Sequence, residues 1–449
     1  MKRPAPGSRD PRRAVGLGPG PVRDVPIVIA ATTPGSLVRV GGMPLVVRSV
    51  LALREAGYRH VTVFAGDLGD RVREALAGTP VYHAMDLAAV SRVGTTAEGW
   101  SVLVLAGDVL FDPRVLTPLV AADGPHTIHP GVRRASDTAT HVLRCPLPML
   151  PGLLAQLQDH GALGLAIRSL DGAAGQAVVL DPGLYEPLGA APSPAALTRA
   201  LLDDLGARTA ATDGYLAAAL DRHLSRAITR VVLPWPVTPN QITVVGMAIG
   251  LLGAAGLATV AYGSRLAGVM ALLVSSILDG VDGEVARARF QQSPRGARLD
   301  LAGDYLTHLG TFVGLGVGLT RQGLPAPGRW AALALVLGVG AAMVVMHTFV
   351  VRPALMGSGD LHGKLPHREA REARMAAVIE RLAGRDYTYL LLVLALVGHL
   401  EWFLYGAAIG SWAFAVGLFL LRTRPGSVRD GSRVTRLVAT GARDRSTPD

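Results

Sequence analysis

Four aspartates stand at spacings that suit chemistry. They lie in Asp279-Gly280-Val281-Asp282-Gly283-Glu284-Val285-Ala286-Arg287 and, further on, Gly296-Ala297-Arg298-Leu299-Asp300-Leu301-Ala302-Gly303-Asp304. On a helix, Asp279 and Asp282 are i and i+3 and share a face, and Asp300 and Asp304 are i and i+4 and share another. Four carboxylates facing one another repel, and a hard divalent cation, or a pair of them, relieves that repulsion through oxygen ligands. Mg²⁺ or Mn²⁺ suits an all-carboxylate site that also takes phosphate oxygens. Gly283, one turn after Asp279, and Ala286, one turn after Asp282, leave room beside the helix. Arg287 is placed to hold a diphosphate, bidentately if its fork faces the site.

The elements that must position these residues are membrane helices. From about Arg230 onward the chain carries apolar runs near the length that crosses a bilayer. Six spans are predicted: Gln241–Tyr262, Leu266–Ala286, Leu299–Thr320, Trp330–Val351, Tyr387–His399 and Trp402–Leu421. A loop of about ten residues between the second and third lets them run antiparallel, acidic faces opposed. Acids within a membrane are expensive and mark function. A structural ion cluster or a cation pathway would use the carboxylates too, but neither gives a role to two small residues and an arginine at fixed offsets.

The chain is half hydrophobic, yet its net charge is +10. The arginines gather at the ends of the apolar runs, so most of that charge is read as a topology signal and not as a nucleic-acid surface. Arg287, Arg289, Arg295 and Arg298 flank one loop, Arg352, Lys364, Arg368 and Arg385 another, and the C-terminal tail adds more; the opposite loops hold only Arg265, Arg321 and Arg329. Both termini are therefore expected in the cytoplasm, with the protein multi-pass in the inner (cytoplasmic) membrane. The single cysteine, Cys145, excludes an intramolecular disulfide and a cysteine metal cluster.

Ahead of the membrane half, Val25–Ala30, His60–Ala65 and Trp100–Ala106 read as strands and Pro44–Ala56 as a helix. The alternation argues for a parallel sheet with covering helices. Asp108 follows the third strand, where ligands of such sheets gather. Asp213–Val232 places Leu216, Leu220, Leu224 and Ile228 four apart, with arginines on other faces, which suits a helix lying in the membrane surface. The expected organisation is a disordered basic tail (1–24), an α/β Rossmann-like domain (25–212), an amphipathic juxtamembrane helix (213–235), an all-α six-helix transmembrane domain (236–424) and a disordered tail (425–449).

The pattern Asp279-x2-Asp282-Gly283-x2-Ala286-Arg287-x8-Gly296-x3-Asp300-x3-Asp304, with Thr238-Pro239-Asn240 at the first span, resembles the CDP-alcohol phosphotransferase family from about Asp213 to Arg422. The resemblance implies two bound metal ions, with Asp279, Asp282, Asp300 and Asp304 as ligands and Asp304 also as general base. It implies a CDP site shaped by Gly283, Ala286, Arg287 and Gly296. It also implies a homodimer formed through the membrane domain, in the lipid bilayer, and a reaction that passes a substituted phosphate from a CDP-linked donor to an alcohol acceptor and releases CMP. Arg385 and Arg352 are the candidates to hold an acceptor phosphate.

The N-terminal half is similar to the sugar-phosphate nucleotidyltransferase family at Ala30-Ala31-Thr32-Thr33-Pro34-Gly35-Ser36, Val40-Gly41-Gly42-Met43-Pro44-Leu45 and Leu103-Val104-Leu105-Ala106-Gly107-Asp108. That resemblance makes Asp108 a metal-holding candidate. Met43 stands where the family has a lysine, and a thioether cannot neutralise phosphate charge; the first loop has one glycine where the family has several. The order of domains resembles inositol-phosphate cytidylyltransferase and di-myo-inositol phosphate phosphate synthase fusions. Three readings follow: a CDP-alcohol phosphotransferase behind a fold that has lost nucleotidyl transfer, a bifunctional enzyme that also makes its CDP-alcohol from CTP, and a non-catalytic membrane sensor of nucleotide or sugar phosphate.

Overall fold

The computed structural model describes residues 25–79, 84–85, 101–122, 128–133, 140–161, 163–168, 176–181, 183–189, 193–209, 220–352 and 387–423. Both tails, Trp100, Leu216, Lys364, Arg368 and Arg385 lie outside the described residues. The chain divides into two compact units. One holds the chain up to Ala211 with Ser225–Pro239 and Val281–Ser293; the other holds Thr212–Leu224, Asn240–Gly280 and Pro294 onward.

The first unit is built on a seven-stranded sheet. Its strands are β1 (Ile27–Ala30), β4 (Val61–Phe64), β5 (Ala84–Met85), β6 (Ser101–Ala106), β8 (His129–Val132), β9 (Val142–Pro146) and β10 (Val178–Val179), in the order β10-β8-β9-β6-β1-β4-β5. Arg39–Val40 (β2) pairs with Met43–Pro44 (β3), and Val109–Phe111 (β7) with Tyr185–Pro187 (β11), as separate two-stranded pieces. Every residue of β1 is buried, as expected of a strand covered on both faces. Helix α1 (Leu45–Glu55) buries Leu45, Val46, Val50 and Leu53 completely, at i, i+1, i+5 and i+8, one stripe of a 3.6-residue repeat. The strands and helix stand within a residue or two of the sequence expectation.

The sheet is not all parallel, however. β1 runs parallel to β4 and β6, but β9 runs antiparallel to both β6 and β8. The link from β8 to β9 is shorter than the dozen or so residues a parallel crossover needs, so β9 must return alongside β8 in the opposite sense. The sequence pattern of β9 is the same in either sense, which is why the direction was not legible.

Further helices of the first unit include α2 (Gly69–Ala75), α3 (Thr117–Ala121), α4 (Leu150–His160), α5 (Leu163–Arg168) and α6 (Pro194–Thr209). The juxtamembrane helix α7 covers Arg222–Val232 among the described residues. Its exposed residues include Leu224 and Val231, while Ser225 and Thr229 are buried. It is amphipathic, but the face turned inward is the hydroxyl face.

The remaining helices are α8 (Pro239–Leu257), α9 (Tyr262–Ala288), α10 (Pro294–Arg321), α11 (Ala326–Met346, continued by a π-helical turn at His347–Val351), α12 (Tyr387–Val397) and α13 (Leu400–Thr423). Four of them, α8, α9, α11 with its extension and α13, are long and apolar enough to cross a bilayer. This is a membrane protein. α10 is as long but carries the acidic pair, and the described part of α12 is short. The link from α9 to α10 is tighter than expected, because α9 runs on to Ala288 and α10 begins at Pro294.

Within the second unit the helices meet at glycines. A Cβ on Gly253 would fall 2.7 Å from the Gly268 carbonyl oxygen, and one on Gly314 or Gly318 would collide with the carbonyls of Ala254 and Leu257. Such contacts bring backbones together where lipid offers no hydrophobic drive for association. Tyr262, Trp330 and Trp402 are exposed near the starts of α9, α11 and α13, as interfacial aromatics are. Arg265 donates to the Thr259 and Val260 carbonyls, Arg321 to Ala258 and Arg329 to Leu324. The three cations on this side thus satisfy carbonyls freed at helix ends.

Candidate metal and phosphate site

Asp279 and Asp282 stand one turn apart on the single helix α9, and Asp300 and Asp304 one turn apart on α10. One carboxylate oxygen from each of Asp279, Asp282 and Asp300 lies within 4.8 Å of the other two. Asp282 is buried, and Asp279 and Asp300 are half-buried. Asp300 Oδ1 is buried without a hydrogen-bond partner. Three carboxylates at that separation, one of which has a buried oxygen with no hydrogen-bond partner, match the donor set a hard divalent cation takes.

Asp304 is not one of the three converging carboxylates. It sits one turn further into α10, and the His308 Nδ1 lies 2.7 Å from its backbone carbonyl oxygen. The His308 ring is 5.5 Å from that of Tyr387, which also approaches Phe312 and Phe403.

Arg287 lies against Gly283. A Cβ there would lie 3.1 Å from Arg287 Nη1, so the missing side chain lets the Arg287 guanidinium lie back over the preceding turn. Ala286 and Gly296 are half-buried, the first a turn beyond Asp282 and the second on the first turn of α10. Arg352 is exposed at the end of the π-helical extension. Arg385 lies outside the described residues.

Asp108 follows β6 as expected, in the turn before β7. Thr33 Oγ1 donates to its Oδ2 at 2.9 Å, and a Cβ on Gly35 would lie 2.9 Å from the Asp108 Cβ. The loop after β1 therefore lies directly against Asp108. Gly42 has φ of +78°, and a Cβ there would collide with the Leu233 carbonyl.

Several residues near the four aspartates escaped the reading of the sequence. Glu284 is buried and accepts hydrogen bonds from Ser225 and Thr229. Arg289 donates to the Val237, Leu233 and Trp235 carbonyls. Asp221, also buried, accepts from Tyr389 and from Ser276, one turn ahead of Asp279. The only signal was Glu284 itself, an extra acid two residues after Asp282 and so on another face of the helix.

Residues 236–417 match the family model for CDP-alcohol phosphatidyltransferases. The chain belongs to that family. It is 31% identical over 150 residues to the inner membrane protein YnjF of Escherichia coli, covering 32% of this chain and 70% of that one. It is 35% identical over 136 residues to the bifunctional IPC transferase and DIPP synthase of Thermococcus kodakarensis, covering 30% of this chain and 29% of that one. The chain thus matches about a third or less of the length of the bifunctional relatives. Among solved structures it resembles Mycobacterium tuberculosis phosphatidylinositol phosphate synthase with CDP-DAG bound, at 20% identity over 47% of this chain and 98% of that one, with a TM-score of 0.31. The residues of the expected aspartate pattern lie on α9 and α10.

Proposed function

We propose that the chain is a membrane-embedded transferase that passes a substituted phosphate from a CDP-linked donor to an alcohol acceptor and releases CMP. The observation that carries this reading is the convergence of the Asp279, Asp282 and Asp300 carboxylates, with Arg287 folded over Gly283 on the same helix. Asp279, Asp282 and Asp300, with Asp304 beside them, would hold Mg²⁺ or Mn²⁺ as one ion or a pair. A metal bound there supplies neutralisation of the donor diphosphate and of the phosphate that leaves.

The chain's own residues do the rest. Arg287 pairs its guanidinium with the diphosphate. Gly283, Ala286 and Gly296 leave space for the cytidine and its phosphates. Asp304 accepts the proton of the acceptor hydroxyl. The hydroxyl oxygen bonds to the phosphorus that carries the alcohol moiety, the bond from that phosphorus to the bridging oxygen breaks, and CMP leaves with the electron pair. Arg352 and Arg385 are the proposed contacts for an acceptor that itself carries phosphate, such as inositol phosphate. The donor is a CDP-diacylglycerol-like lipid or a CDP-inositol-like alcohol.

The wider organisation is proposed as in the sequence reading. A Rossmann-like nucleotidyltransferase-type domain over 25–212 is followed by a juxtamembrane helix over 213–235 and six spans over 236–424. Both ends lie in the cytoplasm of a homodimer in the inner membrane. Of the three readings, two specific observations favour the one in which the first domain has lost nucleotidyl transfer. Thr33 Oγ1 donates to Asp108 Oδ2, and Met43 stands where the resembled family has a lysine. The test is a donor-by-acceptor screen with the purified full chain and Mg²⁺, read as CMP release and by mass spectrometry of the product. No CMP from any donor, together with ligand binding at Asp108, would support the sensor reading instead.

A further inference from the structure

A surface helix ordinarily buries its apolar stripe. α7 buries Ser225 and Thr229, one turn apart, and leaves Leu224 and Val231 half or more exposed. The partner that makes this favourable is Glu284. Ser225 Oγ donates to Glu284 Oε1 at 2.7 Å and Thr229 Oγ1 to Oε2 at 2.6 Å. Glu284 is 4% exposed, so each of its oxygens meets a donor out of water. A buried carboxyl without donors is costly, and one with both oxygens satisfied specifies a single geometry.

A second tie lies just past the end of α9. Arg289 Nη1 donates to the Val237 carbonyl at 2.5 Å, and Nη2 to the carbonyls of Leu233, at 2.8 Å, and Trp235. These carbonyls belong to the stretch where Pro234 and Pro236 stop α7 and leave backbone acceptors without helical donors. Next to Arg289, Phe290 has φ of +55° and its ring lies under the Arg48 guanidinium at 5.6 Å.

Glu284 and Arg289 flank Arg287, and the family pattern specifies neither. We infer that both are positioning residues: together they latch the last turns of α9 to the juxtamembrane helix and fix the rotation of α9 that aims Asp279 and Asp282. Helix rotation is about 100° per residue, so a small twist of a freed end carries a carboxylate off a cation. The inference rests on the proposed transferase site.

The test uses the full-length protein in lipid nanodiscs. Mn²⁺ binding is titrated by the free-ion paramagnetic resonance signal, and CMP release across the panel of CDP-linked donors and alcohol acceptors is followed in parallel. Glu284→Ala should weaken Mn²⁺ binding about tenfold or more, the usual range for a lost partner that orients a metal ligand. Glu284→Gln, which still offers one acceptor and adds a donor to the other hydroxyl, should recover most of that loss. Ser225→Ala with Thr229→Val should reproduce the loss and add nothing to Glu284→Ala, as members of one network do. Arg289→Leu should weaken Mn²⁺ binding independently. The inference is overturned if Glu284→Ala binds Mn²⁺ as the wild type does, if Glu284→Gln is no better than Glu284→Ala, or if the losses multiply. A wild type that shows this Mn²⁺ pattern but releases no CMP leaves the latch standing and removes the transferase reading; a wild type that binds no Mn²⁺ removes both.

Discussion

At the scale of single residues, the proposed site assigns its aspartates two jobs. Asp279, Asp282 and Asp300 converge, and Asp304 lies one turn further along α10, outside that trio. Asp300→Asn should therefore abolish Mn²⁺ binding and CMP release together. Asp304→Asn should lower kcat by about 10²–10⁴-fold, the range for a general base, with a smaller effect on Mn²⁺ binding. Equal losses of metal in the two variants would remove the division of labour. Away from the membrane, burial pushes the Cys145 thiol up to about 12. Its thiolate is absent at neutral pH, so iodoacetamide should label the native protein negligibly at pH 8 and label it fully only after denaturation. Asp112 behaves in the opposite way. Burial would raise its carboxyl, but hydrogen bonds from Arg114 and the charges of Arg208 and Arg114 outweigh burial and hold it below the usual carboxylate range. A depressed folded-state value contributes stability above the unfolded value of about 3.9 and loses it as pH falls through the folded one. The sheet unit should thus lose stability on acidification below about pH 4. Asp112→Asn should reduce that dependence while costing about 1–3 kcal/mol at neutral pH through the weakened Arg114 and Arg208 contacts, measured by denaturant titration of the near-ultraviolet signal.

At the scale of elements, the glycines of the membrane helices carry the packing. Gly318 faces the Leu257 carbonyl with no room for a side chain, and a carbonyl of a neighbouring helix cannot move aside as a flexible side chain can. Gly318→Leu should lower stability by more than about 3 kcal/mol, seen as a fall in Tm in detergent with loss of CMP release. Gly340→Leu is the control: a Cβ there meets nothing within 4 Å, so its Tm should stay near that of the wild type. Much at this scale was legible. The strands at Ile27–Ala30, Val61–Phe64 and Ser101–Ala106 and the helix at Leu45–Glu55 follow from short-range periodicity, and the structure shifts their ends by a residue or two. The antiparallel sense of β9 was not legible, since direction depends on what lies beside the strand and not on its own residues. Nor was the inward face of α7. The spacing of Leu220, Leu224 and Ile228 revealed an apolar stripe, but the donors that meet Glu284 lie on the other side of the helix.

For the whole molecule, the proposal predicts one activity, not two. Full-length protein given CTP and a panel of alcohol phosphates with Mg²⁺ should release no diphosphate, while a suitable CDP-linked donor and acceptor release CMP. Diphosphate release would restore the bifunctional reading, and with it a catalytic role for Asp108 despite Thr33. The sequence by itself marked the proposed reacting groups. The three- and four-residue spacings of the aspartates put each pair on one helix face through local geometry alone, and the apolar runs marked the second half of the chain as membrane-bound. Only the tertiary structure decided which carboxylates converge, that Arg287 lies over Gly283, and that Glu284 and Arg289 tie α9 to the juxtamembrane helix. A pattern along one helix fixes which residues share a face; what that face meets depends on residues more than fifty positions away, and no short-range rule reaches them.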